Sequence, residues 1–275
     1  MRYIIGIISA LIFAMGFGCS SDAGRDIKGN LIIIGGGKRP TAVMEKFMEL
    51  AGGKDARIAI IPMASEYYQE SGPEYEKEFL ALGASETKAF YIHDSLEANS
   101  DSLVQALSRY SGIYFGGGDQ NRLTRIFLHT RCMDLFHRKY KEGAVLAGTS
   151  AGAAIMSQIM ITGDGNWTVP DKDSVMTSQG FGFVKSAVID QHFLKRQRLN
   201  RLLTVVVDNQ IRGIGIDEST ALWVKPGGNV EVLGNSVVIV IDPSRAKYPP
   251  KPGSRLIGAQ DLRMDILRPG DRFRL

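Results

Sequence analysis

The first half of the chain alternates short apolar runs with longer stretches in which apolar side chains recur every three or four positions. The short runs predict buried strands, and the longer stretches predict amphipathic helices. The predicted strands are Leu31–Ile34, Arg57–Pro62, Lys88–Ile92, Gly112–Phe115 and Ala144–Ala147. The predicted helices are Thr41–Ala51, Tyr67–Leu82, Ser100–Tyr110, a stretch from Asn121 to Tyr140 broken near Thr130, and a helix from Ala151. This order predicts an α/β fold with a mostly parallel sheet and helices on both faces.

The pattern changes after Gly180, where several strands follow one another around a single helix. The predicted strands are Val184–Ile189, Ile214–Ile216, Ala221–Val224, Asn229–Leu233 and Val237–Ile241, and the helix is Phe193–Asp208. Pro226–Gly228 indicates a hairpin turn, so we expect the strands after the helix to extend the sheet antiparallel at one edge. The polar stretches Asp164–Gln179 and Pro243–Ser254 are predicted to be loops. No linker interrupts residues 30–275, which we expect to form one domain.

The first 18 residues have the features of an export signal. Arg2 is followed by a charge-free apolar run, Tyr3 to Phe17, that is too short for a comfortable membrane-spanning helix. Cys19 follows at the position that is lipidated in bacterial lipoproteins. We therefore expect residues 1–18 to be a signal peptide, Cys19 to carry a lipid anchor and residues 19–29 to be a short tether. The protein is then expected in the bacterial envelope, on the periplasmic side or at the cell surface, held to a membrane by that lipid.

Composition and charge exclude several classes of structure and of binding partner. With 44% hydrophobic and 23% charged residues, the chain is neither disordered, collagen-like nor a coiled coil. Its net charge of +4 is spread along the sequence, so we expect no nucleic-acid partner. Cys132 has no expected disulfide partner, and we predict a buried thiol within a helix.

The strongest local motif is Gly148–Gly152, with the sequence GTSAG, between a predicted strand and a predicted helix. This is the context of a nucleophile elbow, where a strained turn exposes a serine and its neighbours must be small. The helix start at Ala151 would also direct free backbone N–H groups toward a developing oxyanion. We therefore predict Ser150 as a nucleophile.

A serine nucleophile needs a base, and the chain contains four histidines. His129 and His137 fall within a predicted helical stretch, whereas His93 and His192 each follow a predicted strand. His192 lies in a polar segment that leads directly into several basic residues, so we predict His192 as the base. His93 remains the alternative.

A third residue must orient the imidazole and stabilise its protonated form. Asp217 and Glu218 close the predicted strand Ile214–Ile216, and Asp164 lies in the loop after the nucleophile helix. We predict Glu218, with Asp164 as the alternative acid.

Three arginines, Arg196, Arg198 and Arg201, follow His192 closely. Guanidinium groups bind carboxylates through paired hydrogen bonds, so a cluster beside the base indicates an acidic substrate. A solvated basic helix face is the alternative interpretation.

These segments resemble a known family, the cyanophycinases and the related aspartyl dipeptidases, over nearly the whole mature chain. The resemblance is carried by Gly35–Gly37, Phe115–Gln120, Gly148–Ala153, Asp190–Arg201, Asp217–Ser219 and Asp265–Asp271. The Asp-Gln-His-Phe segment with its three trailing arginines is the most specific part and favours the cyanophycinase branch.

The resemblance implies a fold like that of class I glutamine amidotransferases (flavodoxin-like), and a triad of Ser150, His192 and Glu218. It implies an oxyanion hole from the backbone N–H groups of Gly117 or Gly118 and of Ala151. The substrate-binding residues that it implies are Gln120, Asp190, Gln191, Arg196, Arg198 and Arg201. The implied reaction is hydrolysis of aspartyl bonds in cyanophycin, multi-L-arginyl-poly-L-aspartate, with release of β-aspartyl-arginine and without a metal or other cofactor. The oligomeric state stays open, with a homodimer as one option.

Two other functions compete with this one. An exopeptidase for N-terminal aspartyl dipeptides would act on plain Asp-X substrates. A lipid-anchored protein that binds peptides without turnover would not need Ser150, His192 and Glu218 together, since binding requires no base.

Overall fold

The computed structural model of the protein describes residues 27–165, 168–249 and 252–275. In these ranges the strands are β1 (Asn30–Ile34), β2 (Arg57–Ile61), β3 (Glu86–Ala89), β4 (Gly112–Phe115), β5 (Val145–Thr149), β6 (Ile159–Gly165), β7 (Val175–Gln179), β8 (Ala187–Asp190), β9 (Arg212–Ile216), β10 (Thr220–Val224), β11 (Asn229–Gly234), β12 (Val238–Asp242), β13 (Arg263–Leu267) and β14 (Arg272–Arg274). The helices are α1 (Thr41–Leu50), α2 (Tyr68–Ala81), α3 (Ser95–Ala98), α4 (Asp101–Ser108), α5 (Gln120–Phe127), α6 (Arg131–Glu142), α7 (Ala151–Ala154) and α8 (Leu199–Asn209). The predicted signal segment and Cys19 lie outside the described residues. Among the helices that are described, none combines the length and apolarity needed to span a membrane.

The main sheet has the strand order β14–β11–β10–β1–β5–β4–β2–β3. From β1 to β3 all neighbours are parallel, while β10, β11 and β14 add antiparallel strands beside β1. Alternate residues of β1 enter two cores: Ile33 packs with α5 and α6, and Ile34 packs with Phe47 of α1 and Phe79 of α2. The predicted α/β fold, with helices on both faces and an antiparallel edge extension, is confirmed.

The prediction that all late strands extend this sheet is wrong for β9 and β12. These two strands pair in a separate four-stranded sheet with the order β13–β12–β9–β8, in which β8 and β9 are parallel. On β12, Val240 faces the main core while Ile239 and Ile241 face a second core. Because apolar residues cover both faces of this strand, the hydrophobic pattern does not indicate which strand it pairs with.

Two local predictions also need correction. Part of the predicted polar loop Asp164–Gln179 forms the hairpin of β6 and β7. The helix after His192 begins at Leu199 rather than Phe193, because the intervening residues form turns. The helix predicted from Ala151 is present, as the single turn Ala151–Ala154.

Other local predictions are confirmed. The helical stretch from Asn121 to Tyr140 breaks at Thr130, whose hydroxyl caps α6 by accepting the N–H of Met133 at 3.4 Å. Cys132 is buried within α6, as expected.

Candidate active site

The turn between β5 and α7 presents Ser150 at the carboxyl end of the parallel strands. Ser150 has a φ of +53°, a conformation that non-glycine residues rarely adopt. A Cβ at Gly148 would lie 2.1 Å from the carbonyl oxygen of Gly152, and one at Gly152 would lie 2.3 Å from that of Phe115. Glycine at 148 lets the turn close on itself, and glycine at 152 lets the turn pack against β4, in keeping with the small neighbours that a nucleophile elbow requires.

His192 lies between Ser150 and Glu218. Its Nε2 is 2.8 Å from the Oγ of Ser150, and its Nδ1 is 2.7 Å from Oε1 of Glu218. The imidazole is buried, with 7% of the residue exposed, while about a third of the Glu218 side chain remains accessible to solvent. Both ring nitrogens therefore have partners, in the order that a serine hydrolase triad uses.

The two alternative residues lie elsewhere. Asp164 lies exposed on β6, and His93 lies exposed after β3 with its ring against Tyr68, at 5.7 Å between centroids. Since Glu218 occupies Nδ1 of His192, the structure brings Glu218 and not Asp164 to the imidazole.

The segments that carry these three side chains meet at the glycine turn after β1. Each donates a backbone N–H to one of three successive carbonyls: Ser150 to Ile34 at 3.0 Å, His192 to Gly35 at 2.7 Å, and Ser219, next to Glu218, to Gly36 at 2.9 Å. The glycines are visible in the sequence, but the hydrogen bonds that join the three segments at this turn are not.

Two of these glycines cannot be replaced without strain, because both their backbone conformation and the space around them exclude a side chain. Gly36 and Gly37 have φ values of +101° and +69°. A Cβ at Gly36 would lie 2.3 Å from Cε1 of His192, and one at Gly37 would lie 2.9 Å from Cβ of Glu218. The backbone approaches the imidazole and the carboxylate too closely for any side chain.

The surroundings of His192 favour its neutral form. Burial lowers the pKa of His192 below its ordinary value of 6.5, and the positive charges of Arg196 and Arg198 lower it further. The hydrogen bond and charge of Glu218 oppose this effect without reversing it. A neutral imidazole can accept a proton from Ser150.

Gly117 and Gly118 differ in their position relative to Ser150. A Cβ at Gly117 would be in contact with Cβ of Ser150, at 3.4 Å. A Cβ at Gly118 would lie 2.1 Å from the carbonyl oxygen of Ala64. Of the two glycines, Gly117 is therefore the one that lies next to the Ser150 side chain. Ala151, the other residue of the predicted oxyanion hole, directly follows the serine in the chain.

The polar residues near His192 form two different groups. Asp190 and Arg201 are almost completely buried, and Nε of Arg201 donates to Oδ2 of Asp190 at 2.7 Å in a two-point ion pair. Arg198 is half-buried and donates from Nη1 to both the backbone and the side-chain oxygen of Gln191. Arg196 is exposed. The Asp190–Arg201 pair therefore forms the buried part of this polar cluster, and Arg198 and Arg196 form the part nearer the solvent.

Gln120, the first residue of α5, binds the β6–β7 hairpin. Its amide Nε2 donates to the carbonyl oxygens of Ile161 and Thr162, both at 2.8 Å, and the side chain is buried. Within the described residues, no group of three or more His, Cys, Asp or Glu side chains could hold a metal ion.

Tyr75 of α2 packs against the loop after β4, a position that the sequence did not predict. Its ring packs against Gly116, where a Cβ would lie 3.3 Å from Cε2, and the guanidinium of Arg39 lies 5.0 Å from the ring centroid. Burial raises the pKa of Tyr75. A tyrosine in the middle of a helix carries no local signal of this position, because only the tertiary fold brings α2 over the loop after β4.

Comparison with known proteins gives a consistent result. The family model described as Peptidase family S51 matches residues 31–232, which include Ser150, His192 and Glu218. A cyanophycinase from Nostoc sp. (strain PCC 7120 / SAG 25.82 / UTEX 2576) is 33% identical over 253 residues, covering 89% of this chain and 85% of its own length. A cyanophycinase from Geminocystis herdmanii (strain PCC 6308) is 32% identical over 258 residues, covering 90% of this chain and 94% of its own length.

Solved structures support the fold. A peptidase from an acI-B1 actinobacterium superposes with a TM-score of 0.70 at 22% identity, covering 91% of this chain and 98% of that chain. A putative peptidase E protein from Listeria monocytogenes EGD-e gives a TM-score of 0.54 at 19% identity, covering 76% of this chain and 99% of that chain. At these identities the likeness concerns architecture alone.

Proposed function

The chain belongs to peptidase family S51 and is a serine peptidase, and we propose that it hydrolyses aspartyl peptide bonds in cyanophycin or a similar β-aspartyl polymer, releasing β-aspartyl-arginine. One observation carries the proposal: two hydrogen bonds join Ser150 to His192 and His192 to Glu218, at 2.8 Å and 2.7 Å. This triad supplies the chemistry of acyl transfer. The guanidinium of Arg198, which donates to the backbone oxygen of Gln191 beside His192, favours an acidic substrate.

In the proposed mechanism, Oγ of Ser150 attacks the carbonyl carbon of the aspartyl bond while Nε2 of His192 takes the hydroxyl proton. Glu218 holds Nδ1–H of the imidazolium. The backbone N–H groups of Ala151 and of Gly117 or Gly118 stabilise the oxyanion of the tetrahedral intermediate. His192 then protonates the leaving amine, and the C–N bond breaks to give an acyl-enzyme. Water, deprotonated by His192, attacks the ester and releases the product acid and Ser150.

Arg198 is the residue that best supports an acidic substrate. Burial lowers its pKa to about 10, with a contribution from the neighbouring cation of Arg201, so it stays charged at neutral pH. Its nearest carboxylate, Asp190, is 3.7 Å away and is already engaged in the buried pair with Arg201. A substrate carboxylate would offset the cost of holding this cation in a partly dehydrated position.

The direct test is to incubate the mature domain, from about Ser20, with insoluble cyanophycin and to identify soluble products by mass spectrometry. We expect β-aspartyl-arginine from the wild type and none from Ser150→Ala. Arg198→Ala is expected to raise KM by about 10- to 100-fold, the range for a lost charged hydrogen bond. Cleavage of plain N-terminal aspartyl dipeptides without action on cyanophycin would instead indicate the exopeptidase, and binding without any cleavage would indicate a peptide-binding protein.

We also propose that the protein is exported and anchored to a membrane through a lipid on Cys19. The support is the charge-free apolar run that precedes this cysteine. Cys19→Ala should move the protein from the membrane to the soluble fraction. A variant that still sediments with membranes would contradict lipidation at this residue.

A further inference from the structure

The segment that follows His192 is a tight irregular turn rather than a helix. Backbone hydrogen bonds join Arg196 N to His192 O at 2.9 Å and Arg198 N to Phe193 O at 2.9 Å. His192 and Gln197 have φ values of +49° and +52°. Two non-glycine residues in this conformation persist only where surrounding contacts hold them.

One of those contacts comes from a carboxylate that the mechanism above does not use. Asp217, at the end of β9, accepts the backbone N–H of Leu194 at 3.1 Å and that of Lys195 at 3.0 Å, both on Oδ1. Its Oδ2 accepts the hydroxyl of Ser236 at 2.8 Å. Asp217 therefore binds the turn at two successive amides, those of the second and third residues after His192.

The remaining anchors of the turn come from the same strand. Phe193 N donates to the carbonyl of Ile216 at 3.2 Å, and the Phe193 ring lies so close to Gly215 that a Cβ there would be 2.3 Å from it. The end of β9 thus holds His192 from its carboxyl side, and the next residue in the chain is Glu218. Asp217 fixes the turn while Glu218 fixes the imidazole.

We infer that Asp217 is a positioning residue, which sets the direction of the His192 imidazole and of the Arg198 side chain by clamping the turn between them. It touches neither Ser150 nor the imidazole in any contact of the structure, so its effect passes through the backbone of residues 193–198. A carboxylate suits this position because charge-assisted hydrogen bonds to backbone N–H groups are about twice as strong as neutral ones. Burial alone would raise the pKa of Asp217, but the hydrogen bonds from the Ser236 hydroxyl and from the backbone N–H groups of Lys195, Glu218 and Leu194 outweigh it. The pKa of Asp217 is therefore lowered, and the clamp remains charged at neutral pH.

The inference rests on the proposed triad, and its test avoids any assumption about the peptide substrate. An alkyl fluorophosphonate reacts with an activated serine: Oγ forms a bond to phosphorus, fluoride leaves, and the hydroxyl proton passes to the base. The second-order rate of labelling at Ser150, followed by mass spectrometry per folded molecule, therefore measures the alignment of Ser150 with His192. Thermal unfolding of each variant measures stability separately.

We expect Asp217→Ala to lower the labelling rate by about 100-fold, the size of effect that a shift of about 1 Å in a reacting group produces. Asp217→Asn is nearly isosteric: its oxygen can still accept both amides and its NH₂ can donate to Ser236. It should fold and label about 3- to 10-fold more slowly than the wild type, since its hydrogen bonds are neutral. The graded order Asp, Asn, Ala is the signature of a clamp.

The matched control is Asp242→Asn. Asp242 is the last residue of β12 in the same four-stranded sheet. Its carboxylate accepts hydrogen bonds from Nη2 of Arg212 at 3.1 Å and from the backbone N–H of Ser244 at 2.9 Å, and neither donor belongs to the turn. We expect it to lose stability while labelling at the wild-type rate. If both Asp217 variants are labelled at a rate within two-fold of the wild-type rate, the inference is overturned. If Asp217→Ala does not fold, the labelling rate of Asp217→Asn decides in the same way. Absence of labelling at Ser150 in the wild type would overturn the triad itself and this inference with it.

Discussion

The nucleophile and its base are held by regions of different construction. Ser150 lies between β5 and α7, where five consecutive residues set its strained backbone. His192 and Glu218 follow β8 and β9 of the separate four-stranded sheet and meet Ser150 only at the turn after β1. The first region is encoded in one short motif, although Gly152 also packs against the carbonyl of Phe115, whereas the second depends on contacts between segments distant in sequence. Substitutions in the second region should therefore reduce activity through geometry as well as through lost functional groups.

The largest effect is expected at His192. His192→Ala removes the base that accepts the serine proton and should lower kcat/KM by on the order of 10⁴-fold or more. His93→Ala is the control, because that side chain is exposed and packs beside Tyr68, and it should leave kcat/KM within two-fold of the wild type. Peptide hydrolysis by both purified variants measures the difference. Loss of activity in the His93 variant with retention in the His192 variant would reverse the assignment of the base.

Glu218 should have the next largest effect. Glu218→Gln keeps the shape but replaces the acceptor of Nδ1–H, so the imidazole loses support for its charged state, and kcat should fall by on the order of 10²- to 10⁴-fold. Asp164→Asn changes an exposed residue on β6 and should leave kcat unchanged. Saturation kinetics of the two variants separate kcat from KM. A greater loss of kcat at Asp164 would restore the alternative acid.

The difference between the two regions explains what could be predicted from the sequence. The turn around Ser150 is visible in five letters, since only small residues fit where a Cβ would lie about 2 Å from backbone oxygens. The strand ends at Asp190 and Ile216 were also visible as short apolar runs followed by polar residues. Their sheet was not, because β12 is apolar on both faces and β8 pairs with β9 across an intervening helix. Residue identities near strand ends were therefore predictable, while the contacts that bring them together were not.

Gly36 offers a way to disturb the second region without removing any functional group. Gly36→Ala places a Cβ about where the His192 ring now lies, and should displace the imidazole and lower kcat/KM by about 10²-fold. Gly53→Ala is the matched control: Gly53 also has a positive φ, of +61°, but a Cβ there meets nothing within 4 Å. Both variants should lose about 1 kcal/mol of stability from backbone strain, and Gly36→Ala should lose more because its Cβ must displace the imidazole. Fluorophosphonate labelling should slow only in Gly36→Ala, and equal labelling of both variants would show that the close contact does not position the base.

The smallest effect expected is a shift in pH dependence. Burial, Arg196 and Arg198 together hold the pKa of His192 below 6.5, so the neutral base persists into mildly acidic solution. As pH falls through that lowered pKa, the imidazole gains a proton, and kcat/KM should decline with an acid limb centred below 6.5. Arg196→Gln removes an exposed cation that disfavours the protonated imidazole, so the pKa should rise and the acid limb should move toward higher pH. Because burial is the largest cause of the shift and Arg196 is exposed, the movement should be a fraction of a pH unit. The pH profile of fluorophosphonate labelling measures it without a peptide substrate, and an acid limb that moves toward lower pH would mean that Arg196 does not act on His192 as a cation.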